Sequence, residues 1–186
     1  MARWEPNARA RLADAALELF EERGYEQTTV TDIAAAAGLT ERTFFRHFPD
    51  KREVLFDGSA ALVDLMRTAV REAPADASPQ EAVRHGLAAS EPFFESRRDH
   101  ARRRQRVLMA DAVLLERELS KLATLTDALA AALRDRGVVE PTATLTAEVG
   151  MLVFRVGFAR WLADDEPLSA VFDATYAAVG AASGAS

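Results

Sequence analysis

Apolar residues recur along this chain at spacings of three and four, with almost none of the alternation that builds strands. Leu12, Ala16, Leu19 and Phe20 form one stripe, which Gly24 ends. The pattern then predicts a short helix from about Thr31 to Ala37, a break at Gly38, and a second short helix capped by Thr40 and ending near His47. Pro49 and Asp50 punctuate the chain, and a longer helix is expected from about Lys51 to Arg71. Ala73 to Pro79, with two prolines among small and polar residues, reads as a linker. Helices are expected beyond it from about Gln80 to Ser96, with Pro92 as a kink near the end, and from Arg97 to Ala110. Asp111 would cap a helix that reaches Arg136 before Gly137. Thr142 to Ala163 and Leu168 to Ala182 complete the series, and the tail from Ser183 to Ser186 is expected to fray. The fold class is all-α, with about nine helices.

Composition narrows the function classes. The 186 residues are 49% hydrophobic, enough to bury a core in one or two domains. The absence of cysteine excludes disulfides and cysteine-ligated metal sites and fits a reducing compartment. No HExxH, Gly-rich phosphate loop or GxSxG occurs, and the carboxylates scatter at helix-surface spacing, so no enzyme, metal site or cofactor is expected. No apolar run approaches the ~18 residues that span a bilayer, and the first residues carry no apolar signal core. A soluble, cytoplasmic chain without a membrane partner is expected.

The chemistry concentrates in Val30 to His47, VTDIAAAAGLTERTFFRH. Gly38 supplies the left-handed backbone of a tight turn between two short helices. Ile33, Leu39 and Phe44 can meet as a small core, and Ala34 and Ala37 leave room for the crossing. That is the geometry of a helix-turn-helix, although an ordinary αα-hairpin shares it. The second helix would project Thr40, Glu41, Arg42, Phe45 and Arg46, whose arginines suit guanine edges in a major groove. Thr28 and Thr29, before the first short helix, and Lys51 and Arg52, at the start of the next, stand where phosphates could be bound.

The stretch from Gly24 to Phe56, GYEQTTVTDIAAAAGLTERTFFRHFPDKREVLF, resembles the DNA-binding segment of the tetracycline-repressor-like (TetR) transcriptional regulators. The resemblance rests on Gly-Tyr, two Thr, Ile-Ala, Ala-Gly-Leu-Thr, Thr-Phe-Phe-x-His-Phe and the following Lys. It implies a helix-turn-helix domain over residues 1–56, with a fourth connecting helix at about 51–71, and a helical ligand-binding and dimerisation domain over 57–186. It further implies a homodimer on a near-palindromic double-stranded DNA operator, released by a small, hydrophobic effector, in most cases as a repressor. Thr29 and Lys51 would meet phosphates, and Thr40, Arg42, Thr43, Arg46 and His47 would lie on the recognition helix. The family usually carries Tyr where this chain has Phe45. Without that hydroxyl the side chain cannot donate to a phosphate, and a thymine methyl is an alternative contact. A helical sensor or adaptor acting without DNA would fit the C-terminal two-thirds alone, but would not need Gly24 to Phe56.

In the C-terminal part, Val149 to Ala163 is apolar almost all round and must be covered on several sides. Gly150 and Gly157 lie on one side, open to a neighbouring helix, and Met151, Phe154, Phe158 and Trp161 on another. The last helix offers Val171, Phe172, Thr175, Tyr176 and Val179 at helical spacing. Gly150, Gly157 and these residues are expected to form a dimer interface, a four-helix bundle with a second copy, with monomer core as the alternative. Phe93, Phe94, Met109, Met151, Phe154, Phe158 and Trp161 are candidate linings of the effector pocket, though such residues are more often core. The run Arg97, Arg98, Arg102, Arg103, Arg104 and Arg106 winds round its helix, which argues against one flat DNA patch. Either it is solvated or it docks on the acidic end of the first helix at Glu18, Glu21 and Glu22.

Charge adds one qualification. The chain is acidic, with a formal net charge of −6. Phosphate attraction acts locally, however, and Leu39 to Arg52 sets Arg42, Arg46, Lys51 and Arg52 against only Glu41 and Asp50. Modest affinity for random DNA and stronger dependence on a matched operator are expected.

Overall fold

A computed structural model of the chain describes residues 8–182 and 184. Most of the expected tail at Ser183 to Ser186 lies outside the described residues. Nine α-helices and one 3-10 turn occur among the described residues, with no strand. The chain forms two compact units: one runs to Gly58 and takes up Arg102–Glu118, and the other is Ser59–Ala101 with Leu119 onward. The division is therefore not a single cut near residue 56, because a later segment returns to the first unit.

The first unit contains α1 (Ala8–Arg23), α2 (Val30–Ala36), α3 (Glu41–His47) and the 3-10 turn Arg52–Phe56. Leu12, Ala16, Phe20, Ile33, Phe44 and Phe48 meet in its core, joined from the returning segment by Val107, Leu108 and Leu114. The continuous helix expected from Lys51 to Arg71 is not formed. Instead the 3-10 turn is followed by Asp57 and Gly58, and α4 begins only at Ser59 (Ser59–Glu72). Val54, Leu55 and Phe56 are all buried within the 3-10 turn. Gly58, with φ +84°, then turns the chain.

The second unit is built on α4, α5 (Pro79–Glu95), α8 (Thr142–Ala163) and α9 (Leu168–Ala182). Ser78 caps α5 with a reciprocal bond to Glu81, and Pro79 occupies the first helical turn, where a missing N–H costs nothing. Pro92 is accommodated inside α5, which continues to Glu95. Two further helices, α6 (Arg98–Met109) and α7 (Ala112–Asp135), have residues in both units. Asp111 caps α7 as expected, its Oδ1 accepting from the Val113 and Leu114 N–H groups at 2.9 and 3.1 Å.

The apolarity of α8 exceeds the sequence expectation. At 22 residues it is long and apolar enough to cross a membrane. In the fold it packs between α5 and α9, burying Ala143, Ala147, Met151, Phe154 and Trp161. Its end is tied down by Glu95, whose Oε1 accepts from Trp161 Nε1 at 3.1 Å and from the Leu168 N–H at 2.7 Å.

Candidate nucleic-acid interface

The turn between α2 and α3 closes through two backbone bonds, Gly38 N–H to Ala35 O at 2.9 Å and Leu39 N–H to Ala34 O at 2.8 Å. Gly38 itself has φ +65°, a conformation that costs a residue with a Cβ about 1 kcal/mol or more. Ile33 and Phe44 are fully buried, Ala34 and Ala37 nearly so, and Leu39 packs half-buried against them. The start of α2 is set by a capping box: Thr29 Oγ1 accepts from the Asp32 N–H, while Asp32 accepts from the Thr29 N–H and hydroxyl. Those bonds hold the Asp32 carboxyl below its ordinary range. Thr40 caps α3 by accepting from the Thr43 N–H at 3.2 Å, and the two hydroxyls lie 3.1 Å apart.

Two arginines that sequence reasoning passed over lock this arrangement from α1. The Arg11 guanidinium donates to the Ala37 carbonyl at the end of α2. Arg9 donates to the His47 carbonyl at 3.1 Å, pairs with Asp57 at 2.6 Å and lies over the Phe48 ring. Cations at helix C-termini satisfy orphan carbonyls and complement the helix dipole. Nothing in the linear pattern distinguishes Arg9 and Arg11 from solvated charges, since their acceptors are 38 and 26 residues away.

The expected DNA-contacting residues separate into two groups. Arg42, Phe45 and Arg46 are exposed on α3, Phe45 at 55%, and neither arginine bonds to another described residue. Thr29, Thr40 and Glu41 are exposed beside them. Thr28 requires a correction: it is 1% exposed and its hydroxyl donates to the Gly24 and Leu19 carbonyls, so it cannot reach a phosphate. Lys51 is also drawn inward, donating to the Tyr25 and Thr28 carbonyls at 2.6 and 2.9 Å over the Tyr25 ring, which leaves one donor uncommitted. His47 turns Nε2 into the domain, where it is buried without a partner. Thr43 is half-buried against the cap, and Arg52 pairs with Asp50 at 3.0 Å.

The arginine run is largely engaged rather than solvated. Arg103 and Arg106 both bind Glu21 of α1, at 2.6 and 2.8 Å, and Arg104 binds Glu118 and the Leu55 carbonyl. Of the three acids expected to receive this helix, Glu21 carries both of these bridges. Burial pushes the Glu21 carboxyl up, but the two guanidinium groups outweigh it and hold it below the carboxylate range. Arg98 serves the second unit, donating to the Glu166 and Asp164 carbonyls and lying over Trp161.

The expected pocket and interface residues are rearranged by the packing. Phe94, Phe154, Phe158, Trp161 and Phe172 form one aromatic cluster with ring centroids 4.8–6.3 Å apart, and Phe93 stands edge-on to Phe94 at 5.0 Å. Met151 is buried in the same core, whereas Met109 belongs to the other unit and is 61% exposed, so it does not join them. A surface cavity of about 210 Å³ opens between α5 and α9 at Arg84, His85, Ser169, Asp173 and Tyr176, and of the aromatic cluster only Phe172 lines it. The interface residues need a larger correction. Val171, Phe172, Thr175 and Tyr176 are already buried within one copy, and Val179 packs half-buried on the same core. Gly150 and Gly157 face Val83 and Phe172 of their own chain. The large apolar residues that α8 leaves exposed are Leu145, Leu152 and Val156, at i, i+7 and i+11. Among the described residues no cluster of His, Asp and Glu suits a metal ion.

A short helix reaching out from a glycine turn, capped, braced by α1 and carrying uncommitted arginines, is a helix-turn-helix nucleic-acid-binding unit. Residues 12–57 match the model of the bacterial regulatory proteins of the tetR family. The helix-turn-helix regulator EthR of Mycolicibacterium smegmatis is 30% identical over 171 residues, 85% of this chain and 76% of the relative. The regulator TcmR of Streptomyces glaucescens is 43% identical over 75 residues, but the match spans only 33% of that relative's length. Among solved structures, the Thermus thermophilus FadR, a TetR-family repressor in complex with lauroyl-CoA, superposes with a TM-score of 0.56 at 28% identity, covering 90% of this chain and 91% of that one. The chain belongs to the tetR family of transcriptional regulators.

Proposed function

We propose that this regulator is a repressor that binds a near-palindromic operator as a homodimer and is released by a small hydrophobic effector; it is not an enzyme and works in the cytoplasm. The observation that carries the reading is the exposed face of α3, with Arg42 and Arg46 unpaired at i and i+4 on a helix held rigidly by the Thr40 cap and by Arg9. Arg42 and Arg46 suit guanine edges, Phe45 a thymine methyl, and Thr29, Thr40 and the third donor of Lys51 the flanking phosphates.

A second copy would cover the exposed stripe Leu145, Leu152 and Val156, beside the alanine-rich outer side of α9 at Ala174 and Ala178. Small residues there allow close helix approach in a four-helix bundle. For the effector, the half-buried Phe93, Phe94 and Phe158 around Trp161 supply apolar lining. The acyl thioester bound by the Thermus relative supports a ligand of that apolar character. Because α6 is one continuous helix with residues in both units, a shift of its first turn would be transmitted to the Arg103–Glu21–Arg106 bridge. Release is then a population shift away from the spacing of recognition helices that fits the operator.

The test is a gel shift on the DNA upstream of the gene, with a salt series and an effector screen. Arg46→Ala should weaken operator binding by ~1–3 kcal/mol and relax preference at one base pair. A wild-type chain that shifts no DNA at low salt is instead a ligand sensor acting without DNA.

A further inference from the structure

The exposed face of α3 is chemically divided. Arg42 and Arg46 form one ridge, which can only donate, and Glu41 and Phe45 form the next, which offers an acceptor and an apolar ring. A carboxylate facing DNA is repelled by the backbone unless it meets a donor, and the donors on major-groove base edges are the amino groups of cytosine and adenine. Adenine sets the acceptor N7 beside its amino group, against a carboxylate; cytosine does not. Glu41 is also the first residue of α3, and the N-terminal end of a recognition helix is the end that meets base edges. One of its oxygens is held: the Thr31 hydroxyl of α2 donates to Oε1. The side chain is therefore oriented before DNA arrives, with Oε2 left to accept.

Resting on the DNA-binding reading above, we infer that Glu41 reads a cytosine amino group in each half-site, and that Thr31 is a positioning residue acting through it. The acid at this end of α3 also suits the helix dipole, which by itself would give no base preference. The experiment separates the two. The full chain and its E41Q and T31V variants are each used to select from a randomised duplex pool. Competition is then measured with all four base pairs at every operator position, over a salt series, with melting curves to show that the variants fold. Wild type should favour C over the other bases at one position per half-site by ~5- to 150-fold, the range of one good base contact. E41Q should lose that preference and move it toward A, whose N6 and N7 suit an amide. T31V should narrow the preference for C while leaving the salt slope unchanged.

Identical base preferences in wild type and E41Q overturn the assignment. So does a variant that tightens equally on all duplexes with an altered salt slope, because Glu41 would then only repel phosphate. A wild-type chain that selects no sequence fails earlier and defeats the DNA-binding reading itself.

Discussion

Replacing Gly150 with alanine distinguishes a glycine packed inside one copy from one packed against a second. A Cβ at this position would stand 2.3 Å from Val83 Cγ1 and 3.6 Å from Tyr176 Oη. Val83 is fully buried and Tyr176 is 4% exposed, so neither can retreat into solvent. Alanine gains about 1 kcal/mol of helix propensity over glycine, whereas overpacking a tight core costs about 1–3 kcal/mol. A contact this short belongs at the upper end, for a net loss of about 1–2 kcal/mol. In a chain of this size that lowers Tm by roughly 2–8 °C. The assay is thermal unfolding by circular dichroism at one fixed protein concentration, because subunit association feeds into Tm, with sedimentation equilibrium in parallel. Gly157→Ala, whose Cβ would meet Phe172 Cδ1 at 2.8 Å, should cost less, because the ring edge can slide. Leu152→Glu, on the exposed side of α8, should instead weaken subunit association. The packing argument is refuted if Gly150→Ala leaves Tm unchanged or raised while subunit affinity falls.

Three further outcomes are expected. Thr28→Val removes a buried hydroxyl bond and should cost about 1 kcal/mol of stability without a separate loss on random DNA; unchanged stability with equal losses on operator and random duplex would restore a phosphate contact. Burial raises both tyrosines, Tyr25 and Tyr176, to about 12, so the folded chain should show no phenolate absorbance near pH 10, and stability should fall as the pH rises from 10 through 12; a normal titration at 10 in the folded chain would contradict it. Glu21→Gln should destabilise by about 1 kcal/mol at pH 7, since two partly exposed arginines lose their partner. Because the Glu21 carboxyl is depressed in the folded chain, its contribution is present above the ordinary carboxylate range and lost as the pH falls through the lowered value; the gap between wild type and variant should therefore close in acid, and a gap that persists there would show that the bridge is not its source.

Local rules determined much of this protein. Most helix positions, the Thr40 and Asp111 caps, the Gly38 turn and the Ile33–Phe44 core follow from spacing and residue type within a few neighbours, where backbone sterics and capping act, whereas the break of the expected 51–71 helix into a 3-10 turn and α4 does not. The exposed arginines of α3 were legible for the same reason. What the sequence could not decide was which partner each residue finds across tens of residues. Thr28 carries the same hydroxyl whether it faces solvent or the Gly24 carbonyl, and Lys51 the same charge whether it meets a phosphate or two carbonyls. In α8 apolar residues occupy every side and only a few polar ones, among them Glu148 and Arg155, mark the outward face, so periodicity gave little indication of which face meets its own chain. Tertiary packing decided that, placing Gly150 and Gly157 inward on Val83 and Phe172 and leaving Leu145, Leu152 and Val156 outside, because only the three-dimensional fit of neighbouring helices distinguishes one apolar face from another.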